Sequence, residues 1–416
     1  RQITSFSLSF AMYFPIPPDK NYYKVISIIE GVRMTASNEI LKILSDLIAI
    51  PSSYPPGDTT EICNYTAARL SDAGYQTDTL SRNGSVQNVI AKMGTGKPSI
   101  VFNAHADTIA VADVDGWDTE PFTATEKDGH IHGLGAGNCK ASMAVQIWLA
   151  EEIARRGGPK TGEVVFTFVG DEENLGPDGL AYLRETGAVD PDVLICGAQT
   201  QLQAITEERG VLWVEISTTG TSAHAGEPQN GDNAVDRMIR LIGLLNKELR
   251  PKLDERSRGA LRSTMSIGIF EGGKNTNAVP DRCRIEIDRR LMPEEGIETA
   301  VAEFSEILKQ SDEPQGSWTV RNLTGTKGFA SPTNVPVIKA FQRAIEHHTN
   351  APPYEVIAVG ASDARYFADD GIVLMTFGPG NAKDGHKANE FVPLDELEPA
   401  ARIQLAAIEE TLGFIN

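Results

Sequence analysis

Ile100-Val-Phe-Asn-Ala-His105-Ala-Asp107 is a short apolar run that closes on an imidazole and, two residues later, a carboxylate. Ile100–Ala104 reads as a buried strand, and side chains two apart on a strand share one side, so His105 and Asp107 leave it together. Further runs of the same kind lie on either side, at Val89–Lys92, Glu163–Val169 and Val193–Cys196. Helical spacing marks Asn38–Ile48, about Thr60–Ala73, Ser142–Arg156 and Leu180–Thr186. Strands alternating with helices at this spacing predict an α/β sheet covered on both faces, with ligands at the carboxyl ends of its strands.

After Arg209-Gly210 the texture changes. Val211–Thr218, Thr264–Phe270 and Arg282–Arg290 read as strands, with helices at Asn233–Leu249 and Ile297–Gln310. A unit of roughly 110 residues built this way is a compact α+β domain. The first pattern then resumes with a helix at Pro336–His348, a strand at Ile372–Thr376 and a helix at Leu394–Leu412. The expected architecture is a discontinuous α/β domain, 34–208 and 324–416, interrupted by an inserted α+β domain at 209–323. Residues 1–33 show no sustained period and are read as an N-terminal extension, with Met34 a candidate natural start.

The composition agrees with a two-domain globular chain. It has 416 residues, 41% hydrophobic and 7% aromatic, enough apolar material for a sizeable core. Lys and Arg number 38 against 57 Asp and Glu, a net charge of −19 that repels phosphate backbones and anionic membranes. Nucleic acid and membrane are therefore excluded as expected partners. Cys63, Cys139, Cys196 and Cys283 are widely spaced and form no metal-finger pattern, which fits reduced thiols in the cytoplasm. Phe6–Ile16 is apolar, but Pro15 interrupts it and no basic cluster precedes it, so it is not read as a signal segment.

Three strand ends carry the chemistry. His105-Ala-Asp107 offers a ligand with its orienting carboxylate, since metal-bound imidazoles commonly give their second N–H to one. Gly170-Asp171-Glu172-Glu173 gathers like charges at the mouth of an apolar strand, which is costly unless a cation or acid–base chemistry uses them. His386-Lys-Ala-Asn389-Glu390 follows the strand at Ile372–Thr376. With Gly133-Leu-Gly-Ala-Gly-Asn-Cys-Lys140, Gly220-Thr-Ser-Ala-His224-Ala, Gly273-Lys-Asn-Thr-Asn277-Ala-Val-Pro280, Asp288-Arg-Arg290 and Gly360-Ala-Ser-Asp363-Ala-Arg365, the chain resembles the co-catalytic zinc aminoacylase and carboxypeptidase G family over nearly all of Met34–Asn416. That family includes acetylornithine deacetylase, succinyl-diaminopimelate desuccinylase and carnosine dipeptidases.

The resemblance implies a mixed-sheet metallopeptidase catalytic domain with helices on both faces and a ferredoxin-like lid through which the protein forms a homodimer. It also implies two divalent ions sharing a carboxylate, and a metal-activated water attacking the amide of a small-molecule substrate. On that basis His105 binds one ion, Glu173 and His386 the other, Asp107 orients His105, and Glu172 is the general base. His224 reaches a neighbouring subunit's site to stabilise the oxyanion, while Asn277, Arg290, Ser362 and Asp363 shape the substrate pocket.

Two positions depart from the family pattern. The shared carboxylate falls on Asn138, and the carboxylate of a Gly-Glu-Pro-Thr motif falls on Ala198 in Gly197-Ala-Gln-Thr200. An alanine side chain cannot ligate. Asn138 is neutral, and two divalent ions about 4 Å apart repel several times more strongly than a unit pair, itself roughly 4 kcal/mol at an effective dielectric near 20. One ion is therefore expected rather than two, held by Glu173 and His386 with help from His105, the Asn138 carbonyl or a substitute such as Asp171; manganese, zinc and iron(II) all suit such a set. Three readings remain open: a single-metal C–N hydrolase, one specific form being an aromatic aminohydrolase similar to nitroanthranilate aminohydrolase; a conventional N-acyl amino-acid deacylase or dipeptidase; and a non-catalytic ligand-binding relative.

Overall fold

The computed structural model of the protein describes residues 35–111, 114–358 and 360–416; the 1–33 extension and the start at Met34 lie outside them. The chain opens with α1 (Ala36–Ala49), whose Thr35 hydroxyl accepts from the Asn38 N–H and so satisfies a free donor of the first turn. Its stripe of Ile40, Ile43, Leu44, Leu47 and Ile48 is buried. Then follow α2 (Thr60–Asp72), β1 (Gln76–Leu80), β2 (Asn88–Gly94), β3 (Ser99–His105), α3 (Ala141–Arg155), β4 (Glu163–Val169), α4 (Leu180–Glu185) and β5 (Val193–Gly197).

A second group comprises β6 (Gly210–Thr219), α5 (Ala234–Glu248), β7 (Thr264–Gly272), β8 (Arg282–Leu291), α6 (Ile297–Leu308) and β9 (Trp318–Thr326). The chain closes with α7 (Pro336–Thr349), β10 (Val373–Phe377) and α8 (Leu394–Leu412). No helix among the described residues is long and apolar enough to cross a membrane.

The first group and the closing elements form a six-stranded sheet in the order β10-β5-β3-β4-β2-β1. The four strands β10, β5, β3 and β4 are parallel, whereas β2 runs opposite to them and β1, antiparallel to β2, follows their direction again at the edge. Both faces are covered. Ile100, Phe102 and Phe166 pack with α1, α3 and α8 in the main core, while Val101, Val165 and Leu194 face a second layer with Leu180, Ala364 and Phe367. Burial on both faces is why these strands appear as unbroken apolar runs. Helix α3 is buried almost all round, as its apolar sequence requires.

The second group folds as a split β-α-β lobe, a four-stranded antiparallel sheet in the order β7-β8-β6-β9 with α5 and α6 on one face. Leu212, Val214 and Ile216 alternate into its own core, and Trp213 faces outward. Strand β9 is an element the hydropathy pattern does not mark: Trp-Thr-Val-Arg-Asn-Leu-Thr-Gly-Thr is mostly polar because only part of it packs inward. It continues to Thr326, so the expected division at 323 falls inside a strand. The chain enters this lobe through Glu207–Glu208 and leaves through Phe329–Ala330, and these two short strands pair antiparallel with each other.

Candidate metal centre

Strands β3, β4 and β5 end side by side, and their register sets the site: His105 pairs with Val169, so the loop after β4 begins level with the imidazole. One ligand atom from each of His105, Glu172 and Glu173 lies within 4.8 Å of the others. The His105 Nδ1 contacts the Asp107 backbone oxygen at 2.9 Å and lies 3.5 Å from the Asp107 carboxylate. Asp107 thus orients the ring mainly through its carbonyl. Its carboxylate is fully buried, accepts from the Glu173 N–H at 3.1 Å through one oxygen, and leaves the other without a hydrogen bond. Burial opposes charge on His105, but the Cys139 sulfur, Asp107 and Glu172 outweigh it and raise its pKa well above the imidazole range. The local field favours positive charge at that ring, from a proton or a metal ion.

The second cluster is a triangle. The Asn138 amide nitrogen lies 2.8 Å from Glu173 Oε1 and 2.9 Å from His386 Nε2, and those two atoms are 3.0 Å apart. Hydrogen bonding cannot satisfy all three edges. A neutral His386 Nε2 that accepts from Asn138 faces Glu173 as a second acceptor, and a protonated Nε2 that donates to Glu173 faces the Asn138 N–H as a second donor. With the Asn138 amide turned over, its oxygen opposes Glu173 instead. A cation resolves the conflict, because Glu173, His386 and the Asn138 carbonyl then all offer lone pairs to it. The donor set fits a divalent ion here.

Asp171 has no share in this set. Its carboxylate accepts from Asn174 at 3.2 Å and from the Asp178 N–H at 2.9 Å, closing its own loop. Gly176 makes that closure possible, since a Cβ there would stand 1.9 Å from Asp171 Oδ2. The expectation that Asp171 replaces a missing ligand is therefore not met.

Glu172 faces the other way. The Arg365 Nη1 donates to its Oε1 at 3.0 Å, and its Oε2 lies 3.9 Å from His105 Nε2. Arg365 also approaches Asp363 at 3.3 Å. Burial opposes the Arg365 charge, yet Asp363 and Glu172 more than offset it and move its pKa upward. Burial pushes Asp363 up to about 7 despite the adjacent guanidinium. Glu390 anchors the Asn138 loop: its buried carboxylate accepts from the N–H groups of Gly135 (3.1 Å), Gly137 (3.0 Å) and Asn138 (2.7 Å). Burial nonetheless raises its pKa.

These residues open onto a cavity of about 380 Å³ lined by His105, Asn138, Glu172, His386, Ala198, Arg290, Ser362 and Asp363 among others. Ala198 presents a methyl group where a ligand is expected. Arg290 comes from β8 of the other lobe and is paired with Asp288 through its Nε at 2.8 Å. His224 and Asn277 are exposed, sit on one loop pair joined by the Ala225 N–H to Asn277 oxygen bond, and do not line this cavity. Sequence reasoning assigned no role to Arg365, Glu390 or Glu208. The first two lie inside quoted motifs, and a charge embedded in an apolar context was their signal; Glu208, in Thr-Glu-Glu-Arg, looks like any charged turn.

Parallel strands that deliver imidazole and paired carboxylates to one edge, beside a cavity completed from an inserted split β-α-β lobe, define a two-lobed metallohydrolase. The chain belongs to the peptidase family M20/M25/M40, whose model matches residues 101–410. As a member it is a hydrolase of amide or peptide bonds. It is 29% identical over 392 residues to a succinyl-diaminopimelate desuccinylase of Bordetella petrii, covering 91% of this chain and 99% of the relative. Its fold is similar to a Staphylococcus aureus tripeptidase (TM-score 0.73, 22% identity, 90% of this chain and 98% of that one). It is likewise similar to a dinuclear metal-binding peptidase of Bacillus subtilis (TM-score 0.67, 16% identity, 91% and 99%).

The role of Glu390 is open to direct test. Glu390→Ala strands three backbone donors, each costing about 1–3 kcal/mol when buried and unpaired. The expected outcome is a lowered thermal midpoint and divalent-ion affinity weakened about tenfold or more. An unchanged midpoint together with an unchanged metal titration refutes the role.

Proposed function

We propose that the protein hydrolyses an amide bond of a small, amino-acid-derived substrate at a single divalent ion held by Glu173, His386 and the Asn138 carbonyl, with His105 alongside. The Asn138–Glu173–His386 triangle carries this reading: it asks for one cation, and Ala198 removes a ligand a second would need. Manganese, zinc and iron(II) are all compatible. When bound, the ion supplies Lewis acidity for a water nucleophile and for the substrate carbonyl. Glu172 takes the water proton and returns it to the leaving amine. Arg365 holds one Glu172 oxygen and leaves Oε2 on the His105 side. Asp107 positions His105 through its carbonyl and Glu173 through its carboxylate.

An N-acyl amino acid or dipeptide fits better than a nitroanthranilate. No Phe, Tyr or Trp is among the described residues that line the cavity, so an aromatic ring would find no stacking partner. The four cysteines are free and buried, which suits a cytoplasmic setting. Pairing of two chains through the lid is part of the same reading, because His224 is exposed and does not line the cavity of its own chain. The lid offers an open edge at β7 and exposed Ile239 (55%), Phe270 (47%) and Ile269 (38%). Sedimentation equilibrium should give twice the chain mass; a monomer at micromolar concentration removes this part.

Two further outcomes test the chemistry. Glu172→Gln should lower turnover of N-acyl amino acids or dipeptides by about a hundredfold or more while leaving metal content unchanged; retained turnover would falsify the proton-shuttle role. Elemental analysis should find one ion per chain, rising to two when Asn138→Asp and Ala198→Glu are combined. Two ions in the unaltered protein overturn the single-metal reading.

A further inference from the structure

The cavity has an inner end that the hydrolytic machinery does not use. It is the part lined by the most deeply buried polar residues, Asn103, Glu208, Asp363 and Thr376, with Ser362 beside them. The polar groups there are deeply buried, with Glu208 4% exposed, Asp363 3%, Asn103 2% and Thr376 1%. Glu208 Oε2 accepts from both the N–H and the hydroxyl of Ser362 at 2.9 Å, and both donors are neutral. No ion-pair partner of Glu208 occurs among the described residues. Asp363 accepts from the Asn103 amide at 3.2 Å and shares Arg365 with Glu172. One guanidinium therefore serves Glu172 and Asp363, and Glu208 is left over.

A buried carboxylate without a cation is costly; it takes up a proton, or, where it lines a cavity, a ligand can bring the missing charge. Burial raises the pKa of Glu208, as expected of a carboxyl in this position. We propose that Glu208, with Asp363 beside it, is a specificity residue that receives a cationic group of the substrate, an ammonium at the end of an aliphatic side chain. Arg290 lines the same cavity and keeps N–H groups beyond its Asp288 contacts for a carboxylate at the other end. The substrate class is thus an amide of a basic amino acid. A succinyl carboxylate placed at the inner end would face two acidic side chains, so the desuccinylase relative's substrate is disfavoured here.

The inference deepens the amide-hydrolase reading and rests on it for the placement of substrate, but its test needs no turnover. Isothermal titration of the metal-loaded protein with L-lysine, L-norleucine and succinate reads the inner end directly, because lysine and norleucine differ there only by the ammonium. Lysine should bind about tenfold or more tightly than norleucine, with succinate weakest. Glu208→Gln can still accept the Ser362 hydrogen bonds while losing the charge, and should shrink the lysine-to-norleucine ratio to about threefold or less. Equal affinities in the unaltered protein, tighter binding of succinate than of lysine, or a ratio unchanged in Glu208→Gln each overturn the proposal. The unaltered protein decides by itself if the variant does not fold. Charge-selective binding without amide hydrolysis would instead sink the hydrolytic reading and leave this one standing.

Discussion

The mutual repulsion of carboxylates at the carboxyl ends of β3, β4 and β5 is the constraint around which the site is arranged. Asp107, Glu172, Glu173, Asp363 and Glu390 converge there, and each is settled differently. Glu390 spreads its charge over three backbone N–H groups and in doing so shapes the loop that carries Asn138. Glu172 and Asp363 divide one guanidinium. Asp107 sits between an imidazole and a backbone donor. Glu173 is left against a neutral amide and a histidine, in a geometry that a cation would complete. The position of the proposed ion would follow from which carboxylate the protein itself does not neutralise.

Much of this was legible in the chain. The parallel strands are buried on both faces, so their apolar runs are unmistakable, and the residues that follow them land at one edge by topology alone. His105, Glu172, Glu173 and His386 could be named for that reason, and the departures at Asn138 and Ala198 could be weighed because a missing charge is visible as a residue type. The lid strand Trp318–Thr326 was not legible, since a half-packed strand with Thr, Arg and Asn has no strong period. Glu208 was equally hidden: nothing in Ile205-Thr-Glu-Glu-Arg distinguishes the buried glutamate from its half-buried neighbour Glu207. Burial of a charge is decided by tertiary packing, which local sequence does not encode.

On the single-metal reading proposed above, Asn138 and Ala198 also bear on what the remaining residues are for. In a site with two cations, the neighbouring acids would be drawn toward them. With one, the surplus negative charge at the inner end of the cavity has to be met from elsewhere, by Arg365 in part and otherwise by whatever enters. Selectivity for substrate charge and loss of metal charge are in this sense two sides of one electrostatic balance.

The chain crosses between its lobes twice, and the crossings at Glu207–Glu208 and Phe329–Ala330 are hydrogen-bonded to each other. Glu208 belongs to that crossing and is bonded to Ser362 on the cavity wall. A swing of the lid is consequently a rotation about a short ladder rather than a free swivel on two tethers, and the axis of that rotation runs beside a wall of the cavity. Any such rotation would therefore bear on the wall that Glu208 and Ser362 share, and a molecule bound at Glu208 would sit beside the crossing.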